Sequence, residues 1–206
     1  LKHMIGLLPP LKGDIRIMGD PIDGTQEQRE RAMRRFGVTY QSGALFGSMT
    51  LLENVCLPLE SFTDLPCAAR LLVAEMKLEL VGLKEYAGYF PSDISGGMKK
   101  RAAIARAMAL DPAILFLDEP SAGLDPVTSA GLDHLILRMR DTQGITVVMV
   151  THELASIFAV ADRCIMLDKT SRRLIAEGAP ATLRDHPPNA AVRSFFNREP
   201  AETVRS

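Results

Sequence analysis

The sequence carries almost no net charge: 24 lysines and arginines stand against 25 aspartates and glutamates, a formal −1 at neutral pH. That balance excludes the broad basic footprint with which a domain neutralises a phosphate backbone, so no nucleic acid is expected as a partner. Cysteine is scarce too. Cys56, Cys67 and Cys164 form no CxxC pair and no metal-ligand spacing. This excludes a zinc knuckle and a disulfide framework, and fits buried thiols in a reducing compartment. No apolar run approaches the roughly 20 residues that span a bilayer. The opening Leu1-Lys2-His3-Met4 does not read as a secretory leader. Internal repeats and low-complexity tracts are also missing. What remains is ordinary globular composition, 47% apolar and 24% charged over 206 residues, enough for one domain with a subdomain.

Leu1, Met4, Ile5 and Leu8 recur at the spacing of one helix face, and Pro9-Pro10 ends the run. The pattern has no N-terminal cap, so the expectation is a helix entered part-way. Residues 14–18 read as a short edge strand before the turn Met18–Pro21. Thr25 and Gln28 fit a capping box for a helix through Arg35, with Arg29, Arg31, Arg34 and Arg35 on a solvated face. Phe36 to Tyr40 reads as a strand ending at Gln41. Residues 42–93 change character. Thr50 and Glu53 form a second capping box, and a strongly helical stretch from Cys67 to Val81 meets Gly82 at its end. This predicts a helical subdomain inserted between two pieces of an α/β core. Helices are then expected over 98–109, 127–140 and 154–160, and strands over 114–117, 145–150, 164–168 and 174–177. Such alternation predicts an α/β fold, a largely parallel sheet covered on both faces.

Chemistry concentrates where strands end. Ile114 to Leu117 is continuously apolar, a strand buried on both sides, and Asp118-Glu119 follow it directly. They fall at the carboxyl edge of the sheet, where open α/β folds place ligands. Adjacent carboxylates repel unless a cation is near, and a Mg²⁺ held by nucleotide phosphates resolves this. Asp118 then belongs on the metal side, and Glu119 orients or deprotonates an attacking water. Upstream, Ser95-Gly96-Gly97 precede a helix whose N-terminal N–H groups suit phosphate, although most such turns are only caps. Val147 to Val150 reads as a second buried strand, ending in Thr151-His152. A lone histidine there is more often structural, but at this edge it reaches a terminal phosphate. Gln41 also ends a strand, with an amide oxygen for metal or water.

With Gln41, Ser95–Gly97, Asp118-Glu119, Asp125 and His152 in that order, the chain resembles an ABC transporter ATPase subunit. Ile94 to Pro126 looks like that family's signature motif, Walker B strand and D-loop in sequence. "YQS" at Tyr40 to Ser42 matches the Q-loop, and "THE" at Thr151 to Glu153 the switch-histidine loop. "QSGALF" from Gln41, "SGGM" with Met98 in place of the common Gln, and "AVRSFF" from Ala191 further resemble the Mla-type subgroup. Its ATPases energise phospholipid transport between envelope membranes, with solvent-tolerance and mammalian-cell-entry systems as relatives. The resemblance implies a P-loop-NTPase-like core with an α-helical subdomain over 42–93 and a C-terminal extension over 179–206. It implies ATP and Mg²⁺ as cofactors, and two copies arranged head to tail. Gln41 and Asp118 would serve the metal, Glu119 the attacking water and His152 the γ-phosphate. Ser95, Gly96 and Gly97 would touch the nucleotide held mainly by the other copy, and Asp125 would communicate across the interface. The partners implied are an integral-membrane permease, a small cytoplasmic accessory subunit and a substrate-binding mammalian-cell-entry protein, at the cytoplasmic face of the inner membrane. Phe46, Met49, Leu51 and Leu52 are either permease contacts or subdomain core. Phe195-Phe196 cover either a neighbouring subunit or their own domain.

The chain departs from the family in one large respect. It holds no G-x-x-x-x-G-K-[ST] and no upstream aromatic residue to stack on adenine. "LKHMIGLLPP" resembles the helix that continues from that motif, so the expectation is an N-terminally truncated ATPase. As written, the chain is expected to bind ATP poorly and hydrolyse it little. Glu153 stands where Asp is commoner. Two alternatives remain open. One is a non-catalytic interaction module that keeps the dimer face, which the pairing of Glu119 with His152 disfavours. The other is a non-transport ABC ATPase, which the short segment between Gln41 and Ser95 and its lack of sustained heptads disfavour.

Overall fold

A computed structural model describes residues 1–199, which form two compact units: Leu1–Thr151, and the chain from His152 onward. The first begins with a two-stranded antiparallel hairpin, β1 (Arg16–Ile17) and β2 (Asp20–Pro21), turned by Met18 and Gly19 at positive φ. Helix α1 (Gln26–Met33) starts at the expected capping box: the Thr25 N–H donates to Gln28 Oε1 at 2.9 Å, and the Gln28 N–H to Thr25 Oγ1 at 3.4 Å. Its arginines are exposed, as expected.

Strand β3 (Phe36–Thr39) leads into the helical region, α2 (Leu51–Phe62) and α3 (Cys67–Leu80), with short 3-10 turns at Lys84–Tyr86 and Pro91–Asp93. Thr50 and Glu53 box the start of α2, and Gly82 at φ +72 turns the chain after α3. Then come α4 (Gly96–Ala107), β4 (Ile114–Asp118), α5 (Pro126–Gln143) and β5 (Thr146–Val150). The strands make one parallel sheet in the order β3-β4-β5.

The middle strand anchors the core. Leu115, Phe116 and Leu117 are buried, and the Phe116 ring meets Phe36 edge-on at 5.6 Å between centroids. Ile5, Ile17, Ile22 and Ala32 close over Phe116. Each large side chain so buried stabilises by roughly 1.5–3 kcal/mol. The buried residues of helix α4 are Ala102, Ala103, Ile104 and Ala105, three of the four small. Gly37 completes the fit: a Cβ there would lie 2.1 Å from the Ala107 carbonyl oxygen.

The second unit holds α6 (Leu154–Val160), the antiparallel pair β6 (Cys164–Asp168) and β7 (Arg173–Gly178), then α7 (Pro180–Asp185) and α8 (Ala190–Asn197). Its core gathers Ile157, Ala176, Leu183, Val192 and Phe196. Phe196 sits edge-on to Phe158 and Phe195, at 6.0 and 5.2 Å, so these aromatics pack on their own unit. Residues 200–206 of the expected extension lie outside the described residues.

Four expectations are corrected. The N-terminal helix is a single turn. The Ile5 N–H reaches the Leu1 carbonyl, and Gly6, at φ +76, folds the chain back; Ile5 is buried while Met4 and Leu8 are exposed. A left-handed glycine is a helix stop. Strand β5 is not buried on both sides: among the described residues it pairs only with β4, and Val150 is 42% exposed. Strands β6 and β7 pair antiparallel with each other. Cys67 is exposed; Cys56 is buried and Cys164 half-buried, and burial pushes both of those thiols up. Among the described residues no helix is long and apolar enough to cross a membrane.

Candidate functional site

The register of the parallel sheet sets the site. Thr39 lies opposite Leu117, and Asp118 opposite Val150, so β3 and β4 end nearly level. The chain leaves β3 through Tyr40 and Gln41 and leaves β4 through Glu119. Tyr40, Gln41, Ser42, Asp118, Ala122 and Gly123 line an open cleft of about 510 Å³. Gln41 and Asp118 therefore share one hollow, as the sequence led one to expect.

Glu119 is held in an unusual conformation, φ +47. A non-glycine residue in the left-handed region costs about 1–2 kcal/mol. Bonds on both sides of the residue hold it there. Its N–H donates to the Val150 carbonyl at 2.8 Å, and its own carbonyl accepts from the Ala122 N–H at 3.2 Å. The chain thus turns sharply at the strand end; Glu119 as a whole is half-buried, with its carboxylate oxygen Oε2 buried, and it directly follows the cleft-lining Asp118. Two residues before Gln41, the buried Thr39 hydroxyl finds no hydrogen-bond partner among the described residues.

Three side chains that the sequence reading passed over organise this edge. Lys100, on α4, donates to the main-chain carbonyls of Gln41 and of Glu119, the latter at 3.0 Å. Burial pushes its ammonium below the usual lysine range, against the pull of Glu119 and Asp118. Arg106 donates to Ala44 O at 2.8 Å and Gly43 O at 3.2 Å, and its guanidinium lies 5.8 Å from the Phe46 ring centroid. Asn54 is fully buried. It accepts from the Phe46 N–H at 2.8 Å and donates to the carbonyls of Phe46, Met49 and Thr50 at 2.9–3.1 Å. Each had a signal. Asn54 interrupts the apolar face Leu51, Val55, Leu59, and Lys100 and Arg106 interrupt an alanine-rich helix, where a buried polar group must have a partner.

The other residues singled out fall elsewhere in the structure. Ser95, Gly96, Gly97 and Asp125 do not line the cleft. Ser95 caps α4, its hydroxyl accepting from the Met98 N–H at 3.3 Å. Ser95 and Gly96 are exposed, whereas Gly97 is half-buried and its missing Cβ makes room for Thr128: one added there would lie 2.6 Å from Thr128 Cγ2. Asp125 caps α5, accepting from the N–H groups of Val127 and Thr128 at 3.0 Å and from the Thr128 hydroxyl. Those bonds hold its carboxyl below the usual carboxylate range. His152 opens the second unit, its side chain 68% exposed and its Nε2 3.8 Å from Glu153 Oε1. Of the proposed permease contacts, Leu51 is core, Met49 and Leu52 are half-buried and Phe46 is half-exposed.

The opposite, amino edge of the same sheet carries a second hollow, of about 500 Å³, lined by Arg31, Arg34, Arg35, Asp111 and Gly144 among others. Arg31 there is already paired with Asp20 and Glu27, at 3.2 and 3.0 Å.

The donor set at the carboxyl edge fits a hard divalent cation. Gln41 and Asp118 offer oxygen ligands in an open hollow with room for water and phosphate oxygens. Two side chains are too few for a cage built of protein alone, and no cluster of three or more His, Cys, Asp or Glu that could hold a metal occurs among the described residues.

Comparison with known proteins bears on this geometry. The "ABC transporter" family profile matches residues 1–122. The chain is 37% identical over 198 residues to the Escherichia coli K12 intermembrane phospholipid transport system ATP-binding protein MlaF, covering 96% of this chain and 72% of that one. It is 39% identical over 198 residues to the Mycobacterium leprae probable ribonucleotide transport ATP-binding protein mkl, covering 96% of this chain and 56% of that one. Among solved structures, the ATP-binding cassette MJ0796, a dimer in a post-hydrolysis state with ADP and Pi, superposes with a TM-score of 0.76 at 28% identity, covering 86% of this chain and 78% of that one. The cbiO1 subunit from Clostridium perfringens shares the fold, with a TM-score of 0.77 at 24% identity and coverage of 97% and 81%. With the family profile spanning more than half of the chain and a relative 37% identical over 96% of it, this protein belongs to the ABC transporter family.

Proposed function

We propose that this chain carries the signature, Walker B and switch-histidine portion of the ATP-hydrolysing subunit of a phospholipid transporter, a subunit that works as a head-to-tail pair on an integral-membrane permease. The observation that carries the hydrolytic reading is the shared hollow of Gln41 and Asp118, with Glu119 turned out of the strand beside it. Bound ATP with Mg²⁺ supplies the terminal phosphoryl group and the positive charge that neutralises it in transfer. Gln41 and Asp118 hold the metal through their oxygens. The Glu119 carboxylate accepts the proton of the attacking water, and its main-chain bonds keep it from swinging away. The role of His152 at the terminal phosphate rests on the resemblance of Thr151-His152-Glu153 to the family's switch-histidine loop. Ser95, Gly96 and Gly97 present the open N-terminus of α4 to the nucleotide of the second copy, where free N–H groups favour an anion. Asp125, rigid as the cap of α5, marks the interface between copies.

The cargo reading rests on likeness to the E. coli phospholipid system and on "QSGALF", "SGGM" and "AVRSFF"; the likeness to a ribonucleotide-transport protein is the competing lead. The assembly includes the permease, an accessory subunit and a mammalian-cell-entry protein, peripherally placed at the cytoplasmic face of the inner membrane. The test is a purification from membranes through an affinity tag at the native locus. The expected result is co-recovery of a permease and Mg²⁺-dependent ATP hydrolysis that Glu119→Gln abolishes. Recovery without any hydrolysis sinks the catalytic reading. Hydrolysis stimulated by nucleosides rather than phospholipid vesicles sinks the cargo reading.

A further inference from the structure

We propose that Lys100 is a positioning residue: it ties the loop that bears Gln41 to the strand end that bears Asp118 and Glu119, and Arg106 secures the next turn of that loop. The consequence for hydrolysis rests on the function proposed above; the tether itself rests on geometry alone.

Gln41 and Glu119 lie in separate segments, each just past the end of its strand. One ammonium group joins them, donating to both main-chain carbonyls. An ammonium carries three donors on one atom, so it serves two acceptors at once and still faces the carboxylates behind them. Because both acceptors belong to the main chain, the tether places the two backbones without using the Gln41 amide or the Glu119 carboxylate as its acceptor.

The loop lies directly on α4. A Cβ on Gly43, itself at φ +76, would meet the Lys99 carbonyl at 3.5 Å and Ala103 Cβ at 3.6 Å. Six residues after Lys100, Arg106 takes the carbonyls of Gly43 and Ala44. Four carbonyl acceptors, three of them in the run from Gln41 to Ala44, are thus held by two cations from one helix. The spacing of the metal-side oxygen and the water-side carboxylate is set from α4. That helix starts at Ser95, the residue assigned to the other copy's nucleotide.

The test compares Lys100→Met, which keeps length and removes the donors, with Lys100→Arg, which keeps them. Amide hydrogen exchange on the full chain reads the Gly43 N–H, bonded to Tyr40 O, and the Ala122 N–H, bonded to Glu119 O. Both are expected to exchange about tenfold faster in Lys100→Met and to return to within about twofold of wild type in Lys100→Arg, with β4 amides unchanged. Acceleration of one turn alone, of neither, or of all amides alike overturns the tether. In complexes isolated from membranes, Lys100→Met is expected to raise the Mg²⁺ concentration for half-maximal hydrolysis about tenfold, more than it lowers kcat. Unchanged Mg²⁺ dependence overturns the positioning role. A wild-type complex without hydrolysis would remove the proposed function and leave the exchange result to decide the tether.

Discussion

The two edges of the β3-β4-β5 sheet carry hollows of nearly equal size and opposite character. At the carboxyl edge the cations Lys100 and Arg106 are half-buried and bound to main-chain carbonyls, and a glutamate is held in a left-handed turn. At the amino edge Arg34 and Arg35 are exposed and Arg31 is spent on Asp20 and Glu27. Helix polarity accounts for the difference. Helix α1 ends at Arg34 and α5 at Gly144, so their C-terminal carbonyls face the amino edge, where cations offset them. The N-termini of α4 and α5, which suit anions, lie after the helical region and after β4. Volume does not separate the two hollows; fixed main-chain geometry and the partners of their cations do.

The largest predicted effect should come from Glu119→Gln. It removes the base without altering shape, so hydrolysis by the membrane-isolated complex should fall at least about 100-fold while assembly persists. A residual rate near wild type would erase the distinction between the edges. Gly37→Val should follow, as loss of fold rather than of chemistry. The new side chain meets the Ala107 carbonyl, and urea unfolding should show a loss of about 3 kcal/mol. Lys100→Met should come third, about tenfold in Mg²⁺ dependence. Asp125→Ala should lower Tm at neutral pH by loss of a cap. Because the folded carboxyl sits below its usual range, its contribution is full above the unfolded pKa and fades as pH falls through the folded one. The variant should therefore lose less stability on acidification than wild type. Arg34→Gln with Arg35→Gln should change stability least, within about 0.5 kcal/mol per site; an effect on hydrolysis would assign the amino edge a role this comparison denies it.

Elements written by local rules were legible in the sequence. Thr25 with Gln28 and Thr50 with Glu53 cap their helices as spaced, and Asp118-Glu119 end a buried strand because an apolar run stops there. The N-terminal turn was not legible, because periodicity registers apolar spacing and not the left-handed bend at Gly6. The exposure of β5 depends on which strands lie beside it, which no local pattern states. Lys100 and Arg106 were passed over, since their acceptors are main-chain carbonyls 19 to 63 residues away. Gly97 read as a place for close ligand approach, and the structure adds a plainer reason, the methyl of Thr128.

Asn54 has a mechanical consequence. Its amide grips both ends of the segment from Phe46 to Thr50 and belongs to the first turns of α2, so that short stretch behaves as a stiff strut riveted to a helix. Beyond the strut, the half-exposed Phe46 ring faces the Arg106 guanidinium, which in turn holds the carbonyls of Gly43 and Ala44, so an unbroken run of contacts leads from that ring to the loop that bears Gln41.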